Sequence, residues 1–170
     1  MDKATYNNLS FPDVYDKYVD VLFNYGCCIT QDRELVKDCI HDVFAKYYIK
    51  SREQEISNLN SYLFISLRNR LFDEFRRSSF SCEDSLDKVV FRISDDDVEA
   101  DLIDDESVCE EKSQVAALLD VLTPRQKEAI TLYYIQEKKY TEICEIMGLN
   151  YHSIRNLVHR GMVNMRKAVE

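Results

Sequence analysis

The sequence predicts an all-α protein made of two small helical domains joined by an acidic, flexible linker. Three observations lead there. Apolar residues recur at i, i+3, i+4 and i+7 near both ends of the chain, and no strand-like alternation competes with them. Helix-start chemistry, an oxygen-bearing cap followed by proline, stands where two of these periodic runs begin. Between the ends, residues 78–113 carry 3 basic and 13 acidic side chains and hold no sustained helical period. The expected organisation is a domain over 1–77, a linker over 78–113 and a second domain over 114–170.

The first helix is expected at Ser10-Phe11-Pro12-Asp13, with Tyr15, Tyr18, Val19 and Leu22 as its apolar stripe. A second helix follows Asp32 and buries Val36, Cys39, Ile40, Val43 and Tyr47, which leaves Asp38, His41 and Asp42 on an acidic outer side. Residues 51–60 read as a polar loop. A third helix over 61–77 buries Leu63, Phe64, Leu67, Leu71 and Phe75, while Asn69, Asp73 and Arg76 line a polar stripe. The linker has few apolar residues (Leu86, Val89, Val90, Phe91, Ile93), and a short helix is expected from near Asp104 into the second domain. There Thr123-Pro124-Arg125-Gln126 combines a cap, a proline at the first helical position and a glutamine at the third, opening a helix through Tyr134.

Two further helices follow with a tight turn between them. Over 141–147, residues Ile143, Cys144 and Met147, together with Tyr140, form one apolar stripe. Gly148 ends this helix because glycine tolerates positive φ, and Asn150 caps the next one. From Tyr151 onward Ile154, Leu157, Val158 and Met165 are expected inside, with His152, Arg155, Asn156, His159 and Arg160 on other faces. Between Tyr151 and Lys167 the chain has four Lys/Arg and no Asp/Glu. A helix, a turn and a second helix with a basic exposed side suit a DNA major groove, where Arg and Asn offer bidentate contacts to base edges.

The net charge of -9 argues against nucleic acid only until its distribution is read. Residues 1–77 carry 11 basic and 12 acidic side chains and residues 114–170 carry 8 and 6, so the acidity belongs to the middle segment. No apolar run approaches the roughly 20 residues of a membrane span, and Met1-Asp2-Lys3 leads into no signal-peptide core, so a soluble protein of the cytoplasm is expected. Six cysteines (Cys27, Cys28, Cys39, Cys82, Cys109, Cys144) show neither CxxC spacing nor nearby paired histidines and are read as reduced thiols, with no metal or cofactor. With three glycines, three histidines and no nucleophile-base pair or phosphate-cradling loop, an enzyme acting on a small-molecule substrate is not expected.

Taken together, these features resemble the extracytoplasmic-function group of bacterial sigma factors, in the sigma-70 family, which keep only the family's second and fourth conserved regions. DCIHDVF and SYLFISLRNRLFDEFRR are similar to region two, and LTPRQKEAITLYYIQEKKYTEICEIMGLNYHSIRNLVHRGMVNMRK to region four. The resemblance covers nearly the whole chain. It implies a protein that binds core RNA polymerase and directs promoter-specific initiation by recognising minus-thirty-five and minus-ten elements, with an anti-sigma factor as a further partner.

On this chain the resemblance implies polymerase binding by Asp38, His41 and Asp42, whose acidic side would meet basic side chains of the polymerase clamp. It implies minus-ten contacts by Arg52, Asn58, Asn60, Tyr62, Asn69, Arg76 and Arg77, around a loop that captures an unstacked base. Arg68 and Arg70 join Arg76 and Arg77 as candidates for holding phosphates, although each also reads as an exposed helix charge; Asp73 reads as a partner for a neighbouring arginine. Minus-thirty-five contacts fall to Ser153, Arg155, Asn156, His159 and Arg160. The linker would lie towards the RNA exit path or serve as a solubilising tether, and at about 120 Å extended it spans the roughly 80 Å between two promoter elements.

Four positions depart from the family pattern: His41 stands for a common glutamine, Asp42 for a glutamate, Lys139 for a frequent serine cap and Leu157 for a frequent arginine. The last removes a phosphate contact and implies a lower minus-thirty-five affinity and salt slope. Two other readings compete: a sigma mimic that occupies polymerase or an anti-sigma factor without initiating, and a one-component DNA-binding regulator, which leaves the N-terminal motifs unexplained.

Overall fold

The computed structural model describes residues 10–79 and 118–169, which are helical apart from short turns and caps. They fall in two compact units. The acidic run from residue 80 onward, Cys82, Cys109 and most of the expected helix from Asp104 lie outside the described residues; residues 118–120 are helical.

The N-terminal unit is a three-helix bundle of α1 (Phe11–Ile29), α2 (Arg33–Glu53) and α3 (Leu59–Ser79), each packed on the other two. The start of α1 is the expected one. Ser10 and Asp13 form a capping box, with Ser10 donating from both its backbone N–H (3.0 Å) and its hydroxyl (2.6 Å) to Asp13 Oδ2. The buried face of α1 differs from the expected stripe. Val14, Tyr18, Leu22 and Tyr25 are inside, whereas Tyr15 and Val19 are half-buried flanks. Spacing alone left that phase open, because α1 packs on two helices at once and Tyr15 finds a ring, Phe44, at 4.7 Å on the flank. At Gly26 the α1 backbone approaches α2 so closely that a Cβ there would overlap the fully buried Val36.

The five α2 positions expected inside are buried, and Phe44 joins them. Asp32 caps α2 by accepting the Leu35 N–H at 2.9 Å. The polar loop is shorter than expected. Residues 51–53 continue α2 and α3 starts at Leu59, because Asn58 caps it by accepting the Ser61 N–H at 3.1 Å and Leu59 is buried behind the cap. Leu63, Phe64, Leu67, Leu71 and Phe75 complete the core, with Phe64 against Tyr25 at 5.0 Å.

Later in the chain, α4 (Pro124–Ile130) runs on into a π-helical turn (Thr131–Ile135), followed by α5 (Tyr140–Met147) and α6 (Tyr151–Val169). The expected capping box is present: Gln126 N–H donates to Thr123 Oγ1, and Thr123 N–H to Gln126 Oε1 at 3.2 Å. That glutamine is buried and also accepts from Asn164 on α6 at 3.3 Å, tying α4 to α6. Gly161 allows the approach, since a Cβ there would overlap the Ile130 side chain. Within α6, Ile154 and Val158 are buried as expected, while Leu157 and Met165 are only half-buried. In α5, Ile143 and Met147 are buried with Ile146, and Cys144 is half-buried.

Candidate nucleic-acid interface

The turn between α5 and α6 is built by short-range chemistry. Gly148 sits at φ +65°, the left-handed conformation that β-carbon sterics disfavour in other residues. Leu149 N–H closes the end of α5 on Cys144 O at 3.2 Å, and Asn150 Oδ1 accepts the Ser153 N–H at 2.9 Å to start α6. At Lys139, the first turn of α5 is secured by Glu142, which accepts the Lys139 backbone N–H at 2.9 Å.

With Ile154, Val158 and Gly161 turned inward, α6 presents Arg155, Asn156, His159 and Arg160 to solvent over two turns, with His152 also exposed and Ser153 half-buried. The five residues nominated from the sequence for the minus-thirty-five element therefore share the outer side of one helix. Its side chains are donors of the kind that read base edges.

On the N-terminal unit, Asp38 and His41 are exposed on α2, one turn apart. Asp42 is differently placed: its carboxylate accepts from Arg70 Nε of α3 at 2.8 Å. Arg70 also pairs with Glu74 through Nη1, and Glu74 with Arg77 at 3.0 Å. The Glu74 and Asp42 hydrogen bonds hold the Arg70 guanidinium well above its ordinary pKa, and the Arg70 bond holds the Glu74 carboxyl below its own. Arg70, nominated with three other arginines for phosphate, is thus only 20 % exposed and bridges α2 to α3. Two acids, 28 residues upstream and four downstream, converge on it. Of the remaining arginines, Arg76 and Arg77 are exposed and Arg68 lies over the Phe72 ring at 4.5 Å; Asp73 pairs with Arg76 at 3.0 Å, as expected.

Where α2 ends and α3 begins, aromatic and cationic side chains interleave. Arg52 lies over the Tyr48 ring at 4.4 Å and Lys50 over Tyr62 at 4.6 Å. Phe11, from the first residue of α1, meets Tyr48 edge-on at 5.1 Å and stacks near Tyr47 at 6.1 Å. Phe11, Tyr47, Tyr48 and Arg52, with Ser51 and residues 53–56 and 59, bound an open cleft of about 480 Å³. Asn58, nominated as a minus-ten contact, spends both ends of its amide on the α3 cap, its Nδ2 donating to Ser61 Oγ at 2.9 Å. Asn60 is half-buried in the first turn of α3, and Asn69 is exposed two turns beyond Tyr62. Neither Phe11 nor Tyr48 stands out in the sequence, because Phe11 reaches the cleft from a distant part of the chain and Tyr48 reads as an ordinary exposed helix position.

Cys27, Cys28, Cys39 and Cys144 are free thiols, and burial pushes Cys39 up to about 11. Among the described residues no helix is long and apolar enough to cross a membrane.

Comparison with known proteins agrees with this arrangement. The family description "Sigma-70, region 4" matches residues 112–165. The chain is 22 % identical over 158 residues to the extracytoplasmic-function RNA polymerase sigma factor SigM of Bacillus subtilis (strain 168), covering 93 % of this chain and 94 % of that one. It is 27 % identical over 158 residues to the sigma factor BldN of Streptomyces coelicolor, covering 90 % of this chain and 58 % of BldN. In fold it is similar to the sigma factor RpoE of Bartonella quintana, solved with the anti-sigma factor NepR, with a TM-score of 0.71 at 22 % identity over 94 % of this chain and 96 % of that one. A region-four match at the C-terminal helices and sigma-factor relatives along nearly the full length make the chain similar to the extracytoplasmic-function sigma factors of the sigma-70 family.

Proposed function

We propose that this protein binds core RNA polymerase and directs it to bipartite promoters, with the domain over 1–77 engaging the polymerase clamp and the minus-ten element and the domain over 114–170 engaging the minus-thirty-five element. The observation that carries the reading is the outer side of α6, where Arg155, Asn156, His159 and Arg160 are exposed on a helix that begins directly after the Gly148 turn. In a helix-turn-helix, that second helix enters the major groove.

Exposed Asp38 and His41, with half-exposed Asp42, form the polymerase face on α2. The cleft between Phe11, Tyr48 and residues 51–56 is the receptor for a base leaving the duplex. Extruding a base costs a few kcal/mol, and stacking on an aromatic ring returns about 1 to 3 kcal/mol per base. Arg52 and Lys50, already poised over Tyr48 and Tyr62, supply positive charge for the strand, and Tyr62, Asn60 and Asn69 extend the path along α3 towards Arg76 and Arg77. Asn58 acts here by shaping the loop rather than by touching DNA. Melting driven by such capture needs no nucleotide hydrolysis, and no catalytic role is assigned to any residue. The segment 78–113 serves as the tether. An anti-sigma factor, the kind of partner with which the Bartonella quintana protein was solved, is the expected regulator.

The test combines purified core polymerase and this protein on a library of promoter fragments. Transcripts with defined start sites are expected. Polymerase that binds the protein yet yields no specific RNA would instead make it a mimic, and DNA binding without polymerase binding would make it a one-component regulator.

A further inference from the structure

One carboxylate of the acidic face on α2 is engaged by the chain itself. Asp38 and His41 are exposed there, whereas Asp42, one turn beyond Asp38, accepts Arg70 Nε of α3 at 2.8 Å. The Asp42 side chain is 49 % exposed against 20 % for Arg70, so the carboxylate is the half of the pair that an incoming partner can reach. Arg70 is held from a second side by Glu74, one turn along α3, and Glu74 also pairs with Arg77 at 3.0 Å. A cation is thereby fixed at the acidic face.

A basic side chain of the polymerase arriving at Asp42 meets a carboxylate whose charge is compensated. It either displaces Arg70, at the cost of a charge-assisted hydrogen bond, or shares the carboxylate and brings two like charges together. Both routes subtract from association. The coupling is reciprocal: what Arg70 contributes to holding α2 on α3 through Asp42 is withheld from a partner at the same carboxylate. Removing the cation therefore moves stability and affinity in opposite directions, which a misfolded variant does not do.

We propose that Arg70 is an internal competitor for the polymerase clamp: by occupying Asp42 it holds the affinity of this chain for core polymerase below what its acidic face would otherwise give. This rests on the reading of Asp38, His41 and Asp42 as the polymerase face. By mass action, a chain that binds core more weakly forms less holoenzyme at a given concentration, so the Asp42–Arg70 pair sets how much of this protein is needed before its promoters are read.

The experiment measures affinity of the full chain for core polymerase without DNA, together with thermal unfolding of each protein. Arg70→Met is expected to bind core about three- to ten-fold more tightly than wild type while melting at a lower temperature. Arg70→Lys keeps the charge but loses the fork that spans Asp42 and Glu74, so a smaller gain is expected; it is the second variant should Arg70→Met unfold. In an Asp42→Asn background, Arg70→Met should change affinity by less than about two-fold. Lys46 is the control for net charge: it is exposed one turn beyond Asp42 and makes no ion pair with a described residue, so Lys46→Met should give less than the Arg70→Met gain. An equal gain from Lys46→Met, or a gain that survives Asp42→Asn, would overturn the proposal. So would Arg70 variants that bind core no better than wild type while Asp38→Asn binds worse, a result that leaves the polymerase face standing without its competitor. Should neither Asp38→Asn nor Arg70→Met change core affinity, the reading of the face falls and the competitor with it.

Discussion

Replacing Asp42 by asparagine separates two roles that fall on one side chain. Asp42 belongs to the acidic face proposed for polymerase, yet its carboxylate also holds Arg70 across the α2–α3 contact at 2.8 Å. The side chains are 49 % and 20 % exposed, so the pair lies between a fully exposed ion pair, worth about 0 to 1 kcal/mol, and a charge-assisted hydrogen bond, worth about 1.5 to 3 kcal/mol. Because Arg70 keeps Glu74 in the variant, the loss belongs at the lower end, about 1 kcal/mol. In a helical unit of this size that lowers Tm by about 4 to 8 °C. Thermal unfolding followed by circular dichroism, at low salt and again at roughly 0.5 M salt, reads both the shift and its partial screening. The full cycle adds Arg70→Met and the double variant, with a coupling of about 0.5 to 1.5 kcal/mol expected. Strict additivity, or an Asp42→Asn protein that melts as wild type while losing polymerase affinity, would refute the structural role. Asp38→Asn is the reference: it should weaken polymerase binding and leave Tm unchanged.

Four further outcomes are expected. Gly148→Ala should cost about 1 kcal/mol through φ alone, since nothing lies within 4 Å of a Cβ there, and Gly148→Asn should cost less, by chemical denaturation. Gly26→Ala should gain about 1 kcal/mol of helix propensity but lose about 1 to 3 kcal/mol to overlap with Val36, and the added Val36→Ala change should relieve that overlap; melting of the two variants decides it. Glu74 has a folded pKa depressed by Arg70, so its stabilisation is present above the unfolded value and is lost as pH falls through the folded one. The Tm difference between wild type and Glu74→Gln should therefore be largest above about pH 5 and shrink below about pH 4. Arg155→Ala should weaken promoter binding by about 1 to 3 kcal/mol and relax preference at one upstream base pair, read by binding selection on randomised DNA.

Local chemistry made much of this fold legible. The Ser10-Asp13 and Thr123-Gln126 capping boxes, the Asp32 and Asn150 caps and the Gly148 turn each involve residues within a few positions of one another, and they fall where the sequence puts them. The buried faces of α2 and α3 follow from periodicity for the same reason. What sequence missed depends on distant contacts. The phase of α1 is set by packing against two helices, the commitment of Arg70 by an acid 28 residues away, and the Phe11 wall of the cleft by the end of α2. Asn58 shows an ambiguity of chemistry rather than distance: an amide in a polar loop suits a base edge and a helix cap equally, and here the cap uses both of its ends.

The claim under all of this is that two helical units read two separate stretches of one duplex for one polymerase. Sequencing the DNA retained by the protein-polymerase complex tests it most directly. Two sequence blocks at a fixed spacing are expected, with Arg155→Ala degrading only the upstream block and Tyr62→Ala only the downstream one. A single block, or blocks that both fade with either variant, would contradict it.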